Sequence, residues 1–173
     1  MARNRSADRE TVMKAVSAAL GDVIAKDQIL LTLQAHELAL VHRFGVYLET
    51  HLQPVLRQYG LTVDLDYDRH EDRRKLLPRL DRHDERRFRP DLIVHRRGDD
   101  SYNLLVVEWK KNADDSTLNR LEKRIRSLLV NEDIQPRYGY QVGVLADSSN
   151  DGVRWRAIDS GRPVHGWQHI GSI

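Results

Sequence analysis

The stretch from Pro90 to Lys111, PDLIVHRRGDDSYNLLVVEWKK, constrains the fold more than any other part of the chain. Two apolar runs, Leu92–His95 and Leu104–Trp109, have the composition and length of strands. Between them RRGDDSYN concentrates the residues that favour turns. The pattern predicts two adjacent strands joined by a hairpin.

The flanking sequence supplies the other elements. Val12, Val16 and Leu20 recur at helical spacing over residues 9–20, and Gly21 reads as a C-cap. A second helix is predicted from Asp27, its N-cap, to about Tyr59. Leu30, Leu33, Leu40, Val41, Phe44 and Leu48 form its apolar stripe; Pro54 is placed to kink or end it, and Gly60 to stop it. TVDLDY at 62–67 alternates like a strand. Residues 69–89 mix many arginines with acids and an apolar island, Leu76-Leu77-Pro78, and read as a long loop or a short helix with loop flanks. Helical spacing returns over 115–130 through Leu118, Leu121, Ile125, Leu128 and Leu129. Tyr140 to Leu145 reads as a buried strand and VRWRAI at 153–158 as an edge strand. Helix, strand, strand, strand, helix, strand is an α/β order. Residues 1–26 are assigned to an N-terminal helical extension and 27–173 to the main domain.

Composition excludes several chemistries. With no cysteine, the chain has no disulfide framework, no thiolate metal site and no cysteine nucleophile. Apolar runs are only a few residues long, against the ~20 that a membrane helix needs. The opening MARNRSADRE has no apolar segment of the secretory type, so a cytoplasmic setting without a membrane partner is expected. The formal net charge is only +2, with 31% charged residues. That is compatible with an acidic partner without requiring one.

Chemistry concentrates at the hairpin. In a strand, positions i and i+2 share a face, so Glu108 and Lys110 emerge together, below Leu104 and Val106, while Trp109 turns away. Folding the hairpin about the middle of the 96–103 turn brings Asp91 roughly opposite Glu108. Two carboxylates and an amine then occupy one patch. Mg²⁺ takes one or two carboxylates plus water and phosphate oxygens, so Asp91 and Glu108 are candidate ligands. Lys110 is placed to position or deprotonate a water, or to stabilise developing negative charge. Glu37 falls within the apolar stripe of the second helix, where an unpaired carboxylate is costly and a metal or its waters would compensate it.

Pro90-Asp91 followed by Glu108-x-Lys110 resembles the PD-(D/E)xK motif of the restriction-endonuclease-like nuclease superfamily. The likeness covers roughly residues 30–146, and PDLIVHRRG…NLLVVEWKK is similar to small bacterial members. It implies a core of helix, three-stranded meander, helix and strand. It also implies a nuclease that uses Mg²⁺ or Mn²⁺, with Asp91 and Glu108 as metal ligands, Glu37 as an auxiliary metal ligand on the first helix, and Lys110 acting on the attacking water. DNA is the expected substrate, with RNA left open. A catalytically silent module that binds nucleic acid or a protein partner is the alternative. Nucleases that cut both strands commonly pair two sites by symmetry, which leaves a homodimer open.

Arg73, Arg74, Arg86, Arg87 and Arg89, with Lys111 and Lys123, are the candidate nucleic-acid contacts. Acids interleave the arginines, so a self-compensated loop remains the other reading of that segment. Lys123 is also the candidate polar residue that the second core helix brings to the site. His95 shares a strand face with Asp91 and either borders the site or lies on the surface at the hairpin end. His36-Glu37 does not begin a zinc-protease motif, because the required second histidine position holds Leu40.

Overall fold

A computed structural model describes residues 5–67, 69–70, 73–74, 89–99, 102–129, 139–159 and 162–171. Two helices come first, α1 (Arg5–Thr32) and α2 (Glu37–Tyr59). Gly21 does not end α1. Val12, Val16, Leu20 and Val23 are all fully buried and continue one stripe through the glycine. Their burial outweighs the ~1 kcal/mol that a glycine costs inside a helix. The chain bends instead at Asp27 (φ −127°, ψ 20°) and leaves the helix around Gln34, whose φ is 52°. Asp27 is therefore not an N-cap. Its carboxylate accepts from Arg43 Nε at 2.8 Å and from the Tyr47 hydroxyl at 2.6 Å, tying the bend to α2.

The cap of α2 is His36, whose Nδ1 accepts from Leu38 N at 3.2 Å. Leu33 accordingly lies in the inter-helix turn, 70% exposed, and not on the α2 stripe. Pro54 sits inside α2 without ending it. Gly60 ends it in the left-handed region (φ 63°), its N–H returning to Leu56 O.

The strands follow in chain order: β1 (Thr62–Leu65), a small ribbon of β2 (Arg69–His70) and β3 (Arg73–Arg74), β4 (Leu92–His95) and β5 (Asn103–Lys111). After α3 (Asp115–Arg126) come β6 (Val142–Ser149), β7 (Gly152–Asp159), β8 (Arg162–Pro163) and β9 (Gln168–Gly171). Apart from the β2–β3 ribbon, they form one mixed sheet of order β1-β4-β5-β6-β7-β8, with β9 also on β7. Every pairing is antiparallel except β5 with β6, the pair that α3 connects. The expectation of an edge strand at 153–158 is corrected, since β7 has β6 on one side and β8 and β9 on the other.

Helices cover both faces, which makes an α/β fold of three layers. Val12, Phe44 and Leu48 pack with Leu92, Val94, Val107, Trp109 and Trp155 on one face. Leu118, Leu121 and Ile125 of α3 pack with Ile93, Val106 and Leu145 on the other. A β-bulge at Leu104 departs from simple alternation: Val94 pairs with Leu105, but His95 pairs with Asn103. Leu104 therefore joins the core under α1 and α2 and not the face of Val106. Gly143 lets α3 approach the sheet closely, since a Cβ there would lie 2.2 Å from Ile125 Cγ2. Among the described residues, no helix is long and apolar enough to cross a membrane.

Candidate active site

The end of β5 carries the site. Side chains alternate faces along it, so Trp109 belongs to the core under α2 while Glu108 turns toward Arg124 of α3, and Lys110 reaches Glu37 at the start of α2. Leu92 pairs with Val107, and the next step of that register sets Asp91 opposite Glu108. Asp91 is held there by its side chain, whose Oδ2 accepts from Trp109 N at 2.7 Å, while its backbone O accepts from Asp66 N at 3.1 Å. Trp109 is fully buried, tilts against Phe44 with ring centroids 5.6 Å apart, and donates from Nε1 to Ser148 Oγ at 3.1 Å. The bulky residue inside the motif thus anchors the strand on the far face.

Four expected site residues from three elements meet here. Lys110 Nζ lies 2.6 Å from Glu37 Oε1, at the first turn of α2, and 3.9 Å from Asp91 Oδ2. Glu108 is buried, and its Oε1 has no hydrogen-bond partner. Arg124 Nε stands 3.7 Å from that oxygen, close enough for charge attraction and too far for a hydrogen bond.

The electrostatics follow from burial. Desolvation pushes the Glu108 carboxyl up to about 7; Arg124 pulls it back and Asp91 adds to the rise. Desolvation also raises Asp91 above its ordinary value, against the N–H of Trp109 and the charge of Lys110. For Lys110, burial opposes the charged form, but its hydrogen bond to Glu37 and the charges of Asp91, Glu37 and Glu108 outweigh it. The amine is held above its usual range and stays an ammonium at neutral pH.

Lys123, expected to serve this site from the second core helix, is exposed on α3. Its neighbour Arg124 reaches the site instead. Arg124 was legible as a charge on the apolar stripe, three residues after Leu121 and four before Leu128. The Lys111 amine donates to Gln34 O at 2.9 Å and Ala35 O at 3.2 Å, so it fastens the strand to the inter-helix turn. Arg89 is exposed and pairs with Asp66 at 3.0 Å. Arg73 and Arg74 form β3, and Arg86 and Arg87 lie outside the described residues.

His95 is neither at this site nor on the surface. It is buried at the other end of β4, with Nε2 2.9 Å from Asp64 Oδ2 and its ring against Tyr67. Asp147, on β6 beside Lys110, is a further buried acid, but Ala113 N at 3.0 Å and Arg154 Nε at 2.9 Å occupy its carboxylate.

Asp91 and Glu108 offer hard oxygen donors on adjacent strands. The unpartnered buried Oε1 of Glu108 is the kind of atom that a cation would satisfy. Among the described residues, no group of three or more acids, histidines or cysteines is arranged to hold a metal ion. A two-carboxylate site completed by water and substrate oxygens is what Mg²⁺ ordinarily uses. No family model, no curated protein and no solved structure matches the chain.

Proposed function

We propose that the protein is a divalent-metal-dependent nuclease of the restriction-endonuclease-like class, hydrolysing phosphodiester bonds in DNA. One observation carries this reading: Asp91 and Glu108 face each other across neighbouring strands, and Lys110, two residues beyond Glu108, holds its amine 3.9 Å from Asp91 Oδ2. The element order supports it. Helix α2 is followed by the antiparallel run β1-β4-β5, then by α3 and by β6 parallel to β5.

Asp91 and Glu108 would hold Mg²⁺ or Mn²⁺. Such an ion supplies Lewis-acid stabilisation of the charge that builds on the phosphate and eases ionisation of the attacking water. Glu108 must first give up its proton, so loading improves as pH rises through about 7. In the metal-free site Lys110 is an ammonium. It orients the water by donating to it and steadies negative charge on the phosphate. Arg124, beside Glu108, adds positive charge where the polyanion would lie.

The test is cleavage of plasmid and single-stranded DNA with Mg²⁺ or Mn²⁺ by wild type, Lys110→Ala and Asp91→Ala. Metal-dependent cutting that vanishes in both variants is expected. Binding of nucleic acid with no cutting under any condition would replace the nuclease with a binding module. Cutting that survives both substitutions would put the active site elsewhere.

A further inference from the structure

The inter-helix turn and the first residue of α2 together hold three consecutive residues at the end of β5. Lys110 Nζ meets Glu37 Oε1 at 2.6 Å. Lys111 Nζ donates to Gln34 O at 2.9 Å and Ala35 O at 3.2 Å. Asn112 Nδ2 donates to Gln34 Oε1 at 3.1 Å. The turn is itself pinned, with Gln34 Nε2 donating to Leu31 O at 3.1 Å and His36 capping α2. Gln34 and Asn112 both adopt φ 52°, a region that non-glycine residues enter at a cost and that persists when surrounding contacts enforce it. Both strained residues lie on the two sides of this clasp.

The geometry points to Glu37 as a positioning residue that fixes the Lys110 ammonium, and not as a metal ligand. This rests on the nuclease reading above. The Glu37 carboxylate already accepts from an ammonium, through Oε1 at 2.6 Å. A divalent ion ligated by the same carboxylate would stand close to that ammonium, and like charges at such range repel in a partly buried site. Lysine ends a flexible four-carbon stem, so an amine that must meet a water or phosphate needs a partner to hold it. Glu37 supplies that partner from the first turn of α2, and the clasp at Gln34 and Ala35 fixes the turn relative to the strand. The ammonium is thereby held 3.9 Å from Asp91 Oδ2.

Three measurements on the full chain test this, comparing wild type with Glu37→Ala and Glu37→Gln. The first is acylation of lysines by acetic anhydride at fixed pH in chelator, read by mass spectrometry, with exposed Lys123 as internal reference. Lys110 should label several-fold faster in Glu37→Ala, and less so in Glu37→Gln, which keeps an acceptor oxygen and guards against misfolding. The second is Mn²⁺ affinity by electron paramagnetic resonance, with Asp91→Asn alongside. Asp91→Asn should weaken binding by more than about tenfold, while Glu37→Ala should stay within about twofold. The third is steady-state cleavage, where Glu37→Ala should lower kcat by about a hundredfold with little change in KM. Loss of Mn²⁺ affinity in Glu37→Ala equal to that in Asp91→Asn, or unchanged Lys110 labelling, overturns the assignment. If wild type neither binds Mn²⁺ nor cuts, the nuclease reading fails, and the labelling still decides whether Glu37 holds Lys110.

Discussion

Glu108→Gln should flatten the response of the metal-free protein to pH. Glu108 is buried, and desolvation, partly offset by Arg124, lifts its carboxyl from 4.5 to about 7. A raised acid stabilises the fold through its neutral form. Its contribution is complete below about pH 4.5, erodes between there and about 7, and is gone above. At ~1.4 kcal/mol per pH unit, the full loss is about 3 kcal/mol. Urea denaturation in chelator, run from pH 5 to pH 8, measures it. Wild type should lose most of that amount across the window, and Glu108→Gln should lose much less. The variant's absolute stability is the poorer test, because a buried amide without partners costs about 1–3 kcal/mol of its own. Excess Mn²⁺ at pH 8 should restore wild type, by preferential binding to the folded state, and leave the variant nearly unchanged. Equal pH slopes for the two proteins would refute the reasoning, since the burial of Glu108 would then not be opposing its charge.

The opposite sign is expected at Asp64. Burial opposes its charge, but the Arg97 and His95 hydrogen bonds outweigh that and hold it well below the usual carboxylate range, so its contribution is present above the ordinary carboxylate pKa and lost as pH falls below it. Asp64→Asn should flatten the acid limb of the stability profile, read by circular dichroism; an acid limb as steep as wild type would contradict the role of the Arg97 and His95 contacts. Gly143→Ala should destabilise by about 1–3 kcal/mol, because the new methyl would meet Ile125 at 2.2 Å and α3 must shift. A urea midpoint equal to wild type would contradict that close approach.

The hairpin was legible because local chemistry and tertiary need agree there. The turn residues at 96–103 set the register, and the bulge at Leu104 lies beyond Val94, on the turn side, so it leaves the alignment of Asp91 with Glu108 undisturbed. The helical region was misread where burial overrode local signals. Gly21 and Asp27 carry end and start signals, yet the stripe through Val16, Leu20 and Val23 keeps the chain helical past the glycine, and at Asp27 the helix kinks where a cap was expected. At β7 the alternating arginines suggest a solvated edge. Arg154 pairs with Asp147 and Arg156 with Glu122, and both guanidinium groups stack on Trp167, so two charges stand within an interior strand.

The site divides along the same line. Asp91, Glu108 and Lys110 sit on two paired strands, where period two fixes the shared face, so sequence spacing is enough to bring them together. Glu37 was singled out for the wrong geometric reason. The stripe through Leu33 that made it an interior residue does not exist, because Leu33 belongs to the turn and α2 begins at Glu37. The inference that its charge needs a partner still holds, and the partner is Lys110, 73 positions away in sequence. Nothing local can specify such a pairing. It depends on where the end of α1 meets the end of β5, and three hydrogen bonds from Lys111 and Asn112 to the inter-helix turn set that meeting. Arg124 over Lys123 is the same lesson on one turn of helix. The exposed lysine lies off the apolar stripe, whereas the arginine on the stripe is carried toward Glu108 by the packing of Ile125 over Gly143.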